Sequence, residues 1–178
     1  MNPVPRLKPE IPLPPYAYIP SSLLPHPTSH PLGHQYGSEI QAPTFFDAGQ
    51  WRNCIPFLLG IDLFNNGYYW EAHESWEMLW RCTWRGSDAA KFLKALIKLS
   101  AAGVKLREVL PAGVRSHAGR AKELLQELSG RHGRYMGLEL SALTALADRF
   151  LEAATALEID SAPAERYFWM FPAMEEGQ

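Results

Sequence analysis

Residues 64–81 read FNNGYYWEAHESWEMLWR, a dense mixture of charged and tryptophan side chains. The turn signal at residues 65–67 predicts a helix that begins near Tyr68 and ends near residue 82. Because a helix turns by about 100° per residue, the charged and indole side chains share one face: Trp70, His73, Glu74, Glu77, Trp80 and Arg81. The neighbouring face is apolar and is expected to pack on the core: Ala72, Trp76 and Leu79.

The polar face of this helix contains a motif that resembles a metal-binding motif. Residues 73–77 have the form His-Glu-x-x-Glu, which is similar to the zincin motif in which the first and fifth residues bind zinc. A carboxylate in fifth place is still an acceptable ligand for zinc, manganese or iron. One hypothesis is therefore a divalent metal, held by His73 and Glu77, in a hydrolase-like site. The ligands still required would come from Glu74, His117 or a histidine near the N-terminus.

Two other interpretations of the same face stay open. In the first, it borders a pocket for a small anionic or polar metabolite, and His73, Glu74 and Glu77 are the candidate catalytic residues. Side chains that would supply cationic donors or aromatic walls are spread over three helices: Trp70, Trp80, Arg81, Lys94, Lys98, Arg107 and His117. In the second, the protein is a non-catalytic helical interaction module. Glu74 and Glu77 then pair with Arg81, Arg107 or a lysine of the third helix in a buried network, since an unpaired buried charge is costly.

Several positions of this stretch also match a known family signature: Phe64, Gly67, Tyr69, Glu71-Ala72-His73-Glu74, Glu77 and Trp80-Arg81. In these positions the chain resembles domain of unknown function family 309, and the resemblance covers about residues 55–155. A second block, FLKALIKLS at residues 92–100, resembles the next family motif. Lys94 and Lys98 replace glutamines there, and Lys105 replaces a histidine that many members have. The resemblance implies a small all-helical domain without an established activity, whose charged signature has suggested an enzyme.

Proline divides the chain into an N-terminal arm and a helical part. Residues 1–43 hold 11 of the 15 prolines, so we predict an extended arm over residues 1–45 that packs on the core. Its histidines, at positions 26, 30 and 34, are expected either to be ordinary loop residues or to supply one that reaches the His73 face. Residues 46–160 form the helical domain. Residues 161–178 form an aromatic tail that docks on this domain or on a second subunit.

Apolar side chains with a 3.6-residue period predict five helices. The first covers about residues 52–65 and the second about 68–82. The third covers about 89–108, with Ser87 or Asp88 as its N-cap, and Pro111 opens the fourth. A loop over residues 130–137 precedes the fifth, at about 141–157. The fold class is therefore all-α, a single multi-helical bundle with non-helical ends.

Composition narrows the function classes. With 178 residues and a net charge of −2, the chain suits one domain, and its charge does not favour nucleic acid or an anionic membrane. No apolar run approaches the ~20 residues of a membrane span, and no signal pattern is present. Two cysteines are too few for a disulfide framework, so we expect a soluble cytoplasmic protein, either monomeric or homo-oligomeric. A Gly-rich phosphate loop, a G-x-S-x-G elbow and a C-x-x-C pair are also absent from the sequence.

Overall fold

Five α-helices make up most of residues 5–38 and 44–159, the part of the chain that the computed structural model describes. Their bounds are α1 Ile55–Asn65, α2 Tyr69–Arg81, α3 Asp88–Arg107, α4 Pro111–Ser129 and α5 Leu140–Ile159. A short 3-10 helix, Ala48–Asn53, precedes α1. Two-residue strands, β1 Arg134–Tyr135 and β2 Leu138–Glu139, pair antiparallel between α4 and α5. The predicted all-α class is confirmed, whereas the predicted tail over 161–178 lies outside the described residues.

The helix ends follow local signals in the sequence. The Ser87 hydroxyl caps α3 by accepting a hydrogen bond from the Ala90 amide at 3.0 Å. Gly67 has a φ of 82°, a conformation that favours glycine, and it turns the chain between α1 and α2. The predicted first helix over 52–65 is divided into the 3-10 helix and α1. The break follows from Pro56, which has no amide hydrogen and therefore lies in the first turn of a helix.

The third helix is the centre of the bundle. It packs on α2 along one side and on α4 along another, and it also contacts α5, while α1 packs on α2. The largest fully buried side chains fill the space between these helices: Phe57, Phe64, Trp76, Phe92 and Phe150. Within the described residues, none of the helices combines the length and the apolar character that a membrane crossing needs.

Two glycines allow α2 to approach its neighbours closely. A Cβ on Gly60 of α1 would lie 2.3 Å from the Trp76 Nε1 atom, and one on Gly103 of α3 would lie 2.6 Å from the Tyr69 ring. Both aromatic side chains are buried, so neither ring can move aside into solvent. The absence of a Cβ atom at Gly60 and at Gly103 therefore allows α2 to pack at this short distance from α1 and α3.

Gly103→Ala is expected to lower the free energy of unfolding by about 1–2 kcal/mol, because overpacking a core costs more than the helix propensity of alanine returns. Gly119→Ala in α4 is the matched control, since nothing lies within 4 Å of a Cβ built there. At that position alanine is expected to stabilise by about 0.5–1 kcal/mol. Urea denaturation of both variants measures the two shifts. Shifts of the same sign would contradict the close packing of α3 on Tyr69.

Two buried carboxylates bind the described part of the arm to α1 and α2. Asp62 of α1 accepts hydrogen bonds from the backbone amides of Leu7 and Lys8, each at 2.7 Å. Glu71 of α2 accepts hydrogen bonds from the Tyr18 amide at 3.0 Å and from His34 Nε2 at 3.1 Å. Both carboxylates are only 2% exposed. The arm thus covers one side of the helix pair that contains the signature.

Candidate functional site

A groove between α2 and α3 brings together part of the predicted site. It encloses a cavity of about 200 Å³. Its lining comes from both helices: His73, Glu77 and Trp80 of α2, and Lys94, Ile97 and Lys98 of α3. Residues three or four apart on a helix point in the same direction, which explains why each helix contributes a cluster of neighbours. We call this cavity the α2–α3 groove.

A short chain of polar contacts runs along the α2 side of the groove. His73 Nε2 lies 3.1 Å from Glu77 Oε2, and Arg81 Nη2 donates to Glu77 Oε1 at 3.2 Å. The side chains of His73 and Glu77 are about one quarter exposed, and that of Arg81 is 67% exposed. Contacts in such positions contribute at most about 1 kcal/mol each. The hypothesis of a buried ion-pair network therefore does not hold for these side chains.

Lys94 and Lys98 give the α3 side of the groove its charge. The Lys94 ammonium lies 4.8 Å from the centroid of the Trp80 ring, which is a cation–π contact. The other four lysines of the chain each pair with a carboxylate: Lys8, Lys91, Lys105 and Lys122. Within the described residues, neither Lys94 nor Lys98 has a carboxylate within 4 Å. The groove thus holds two ammonium groups against the single carboxylate of Glu77, which Arg81 shares.

His117 of α4 lies close enough to the groove to respond to its charge. Burial lowers the pKa of His117, and the positive charges of Lys98 and Lys105, together with His73, lower it further. Because Lys98 and His73 both line the groove, their effect on this pKa places His117 within electrostatic range of it. His117 is therefore a neighbour of the groove and not part of its lining.

Other predicted residues do not line the groove. Trp70 packs against the arm, with ring centroids 5.4 Å from Tyr18 and 5.3 Å from His26, so it does not form the predicted wall. Glu74 lines a different cavity beside the arm, and burial raises the pKa of its carboxyl group. Arg107 ends α3 and has no carboxylate within 4 Å among the described residues. Its predicted pairing with Glu74 or Glu77 is not formed.

Three side chains of α2 stand close enough to share a cation. One ligand atom each from His73, Glu74 and Glu77 lies within 4.8 Å of the others. Imidazole and carboxylate groups suit zinc, manganese or iron, but zinc takes four ligands as a rule. The charge of His26, on the arm, lowers the pKa of Glu74 slightly, so this histidine is within electrostatic range of Glu74.

The sequence-based predictions missed the most buried carboxylate of α2. The Glu71 side chain is fully buried, and its second oxygen, Oε2, has no hydrogen-bond partner. A signal for this burial exists in the sequence. Glu71 lies one turn from Ser75 and two turns from Met78, on a side of the helix that the polar face does not include. A carboxylate at such a position needs donors from another segment, which the arm supplies.

Comparison with known proteins agrees with the resemblance seen in the signature. Residues 57–116 match the model of the family described as Domain of unknown function (DUF309). The matched segment runs from α1 into α4, so it contains every residue that lines the α2–α3 groove. No curated protein and no solved structure matches this chain significantly. Residues 57–116 are therefore similar to the DUF309 family, which supports the resemblance that the signature predicts.

Proposed function

We propose that this protein binds a small anionic metabolite in the α2–α3 groove. The observation that carries the proposal is the pair of ammonium groups, Lys94 and Lys98, that line the groove without a carboxylate within 4 Å in the described part of the chain. A charge in a partly enclosed cavity loses hydration, and an anion of opposite charge compensates for that loss. The Trp80 ring supplies an apolar wall, as is usual in small-molecule sites.

The size of the groove restricts the ligand to a small one. Its 200 Å³ lies below the range of about 300–1,000 Å³ that is typical of sites for drug-sized ligands. Lysine binds phosphate and carboxylate as a mobile point charge, which suits either group. We therefore assign the ligand to the class of small carboxylates or phosphate esters.

An enzymatic form of this proposal gives His73 the role of general acid or base. Its Nε2 atom contacts Glu77 at 3.1 Å, and a carboxylate in that position orients the imidazole ring. Both side chains line the groove, so a bound anion would lie beside them. Replacing His73 by alanine should then abolish turnover while the anion still binds to the lysines.

The double substitution Lys94→Met and Lys98→Met is expected to weaken anion binding at least tenfold, because methionine keeps the length of the stem and removes the charge. The probes are sulfate and inorganic phosphate at constant ionic strength, followed through the indole NMR signal of Trp80. Lys91→Met on the same helix is the matched control, since Lys91 already pairs with Glu127 and lies outside the groove. Equal affinities for the control and the double variant would exclude the groove as the site.

Anion binding is also expected to raise the pKa of His117 towards its ordinary value. The anion offsets the positive charge of Lys98, which lowers this pKa in the unliganded protein. Because the bound state then takes up protons, affinity for sulfate should increase as the pH falls through the range in which His117 titrates. Lys98→Met should raise the same pKa without ligand. NMR titration of the His117 ring checks both shifts, and an unchanged pKa in both cases would contradict the proposal.

Divalent-metal binding is a second candidate function, favoured by the proximity of His73, Glu74 and Glu77. Elemental analysis of protein purified without a chelator tests it directly. Near-stoichiometric zinc, manganese or iron that disappears in His73→Ala would support a metal site. The two candidates are separable, because Lys94→Met and Lys98→Met remove no metal ligand and should leave the metal content unchanged.

We also propose that the protein works in a reducing compartment such as the cytoplasm. Cys54 and Cys82 are both free thiols in the described structure. Burial raises the pKa of the Cys54 thiol, so this group stays protonated and unreactive. Free thiols of this kind are typical of reducing compartments, which supports the proposed location.

A further inference from the structure

Two cavities lie between the N-terminal arm and the pair α1 and α2. One has a volume of about 380 Å³ and the other of about 310 Å³, both within the usual range for small-molecule sites. They share Gln35 of the arm, Leu59 and Leu63 of α1, and Glu71 of α2. Glu71 therefore borders both cavities, although its side chain is fully buried beneath the arm. We call these two spaces the sub-arm cavities.

Their position on α2 separates them from the α2–α3 groove. With about 100° per residue, Glu71 points about 120° away from Glu77 and about 180° away from Trp80 around the helix axis. The linings agree with this geometry, since no residue that lines the groove also lines a sub-arm cavity. The helix thus has two independent concave surfaces, and the signature supplies residues to each.

The Glu71 carboxylate lacks one hydrogen-bond donor. Its Oε1 atom accepts hydrogen bonds from the Tyr18 amide and from His34, while its buried Oε2 atom accepts none. Buried polar atoms are nearly always paired, because an unpaired one loses its hydration without compensation. Burial also raises the pKa of Glu71, because it removes water from the carboxylate, while the hydrogen bonds and the charge of His34 act in the opposite direction. A ligand that donates a hydrogen bond would complete this site.

The side chains that line the sub-arm cavities favour a positively charged ligand. Glu71 and Glu74 both line the larger cavity, and no lysine or arginine among the described residues lines either cavity. The rest of the larger lining is mainly apolar, with Leu59, Leu63 and Met78 in contact with the space. We infer that the sub-arm cavities bind a small amine with an apolar body, whose ammonium group pairs with Glu71 and whose body lies against the leucines. Apolar burial and a charge-assisted hydrogen bond then act together.

The test compares hexylamine with hexanol, two probes that differ in their head groups. Both are titrated into the full chain, and binding is followed by isothermal calorimetry and by NMR shifts of the Leu59 and Leu63 methyl groups. Hexylamine is expected to bind at least tenfold more tightly than hexanol. Glu71→Gln should abolish that preference, whereas Glu123→Gln on the surface of α4 should preserve it. Equal binding of both probes by the wild-type protein, or no binding of either, would overturn the inference.

A second pair of variants tests the inference without changing Glu71, because Glu71→Gln could also loosen the arm. Thr28 is exposed and lines the larger cavity, so Thr28→Trp should block it without touching Glu71. Its neighbour Ser29 is exposed but lines neither cavity, which makes Ser29→Trp the matched control. We expect Thr28→Trp to weaken hexylamine binding at least tenfold and Ser29→Trp to leave it unchanged. Unchanged binding in both variants would place the amine elsewhere. Lys94→Met and Lys98→Met should not affect it, so this inference and the proposed function fail separately.

Discussion

Trp76→Ala is expected to lower the free energy of unfolding by about 3–5 kcal/mol, the range for removing a large aromatic side chain from a core. The Trp76 side chain is 0% exposed. Its ring lies directly against Gly60, and its Nε1 atom donates a hydrogen bond to the Phe57 carbonyl at 3.1 Å. The substitution therefore opens a cavity between α1 and α2 and also leaves a buried carbonyl without that donor.

Trp84→Ala provides the matched control, because Trp84 is 75% exposed and lies just beyond the end of α2. Its loss is expected to change the free energy of unfolding by less than about 0.5 kcal/mol, as for most surface substitutions. Chemical denaturation of both variants gives the comparison. Since a domain is stable by only about 5–15 kcal/mol, the Trp76 variant should also be partly unfolded at moderate temperature. Similar losses in the two variants would contradict the packing of α2 on Gly60.

The elements that were predicted well are those that local patterns determine. The α2 core face of Ala72, Trp76 and Leu79 follows from a 3.6-residue period, and all three side chains are 0% exposed. The start of α3 follows from the Ser87 cap and that of α4 from Pro111. Strand β1 lies within the region predicted as a loop, and β2 lies between that loop and the predicted fifth helix. Two residues per strand are too few for an alternating pattern to appear in the sequence.

The same distinction applies to the candidate site. The contacts of Glu77 with His73 and Arg81 follow from the sequence, because helix geometry alone places residues four apart side by side. The pocket interpretation also placed Lys94 and Lys98 beside them, but the sequence alone could not select it over a solvated face, since the rotation of α3 about its axis depends on tertiary packing. When each lysine is considered by itself, the sequence favours a solvated helix face.

The contacts of Glu71 and Trp70 with the arm could not be predicted from the sequence. The donors to Glu71 are residues 18 and 34, which lie 53 and 37 positions away in the chain. Nothing local to α2 identifies those partners. The same arm covers Trp70, so this indole is a contact for the arm and not a wall of the groove.

Asp62→Ala is expected to lower the free energy of unfolding by about 2–4 kcal/mol, because Asp62 is the buried attachment point of the arm. Two backbone amides, those of Leu7 and Lys8, donate to its two oxygens at 2.7 Å, and Arg6 Nε lies 3.6 Å away. A hydrogen bond to a charged group contributes about 1.5–3 kcal/mol. The expected loss is smaller than the sum of two such bonds, since the released amides regain hydrogen bonds to water.

Two further substitutions are compared with Asp62→Ala for their effect on the free energy of unfolding. Asp62→Asn keeps one acceptor oxygen but turns an amide donor towards the other backbone N–H, so an intermediate loss is expected. Glu10→Ala removes an arm carboxylate that pairs with Lys8 at 3.7 Å but is 62% exposed, so its effect should stay below about 1 kcal/mol. Chemical denaturation orders the three variants. Equal losses for Asp62→Ala and Glu10→Ala would show that burial of Asp62 does not determine its contribution.

Hydrogen exchange in Asp62→Ala then separates two models of the arm. If the arm is a cooperative unit of its own, exchange should accelerate at Leu7, Lys8 and Tyr18 while the amides of α3 keep their protection. In that case the helices fold without the arm, and the arm serves to enclose the sub-arm cavities. If the α3 amides accelerate by the same factor, the arm belongs to the core. We expect the first result, because the described arm contacts to α1 and α2 centre on two carboxylates and one tryptophan, whereas α3 is packed on three helices.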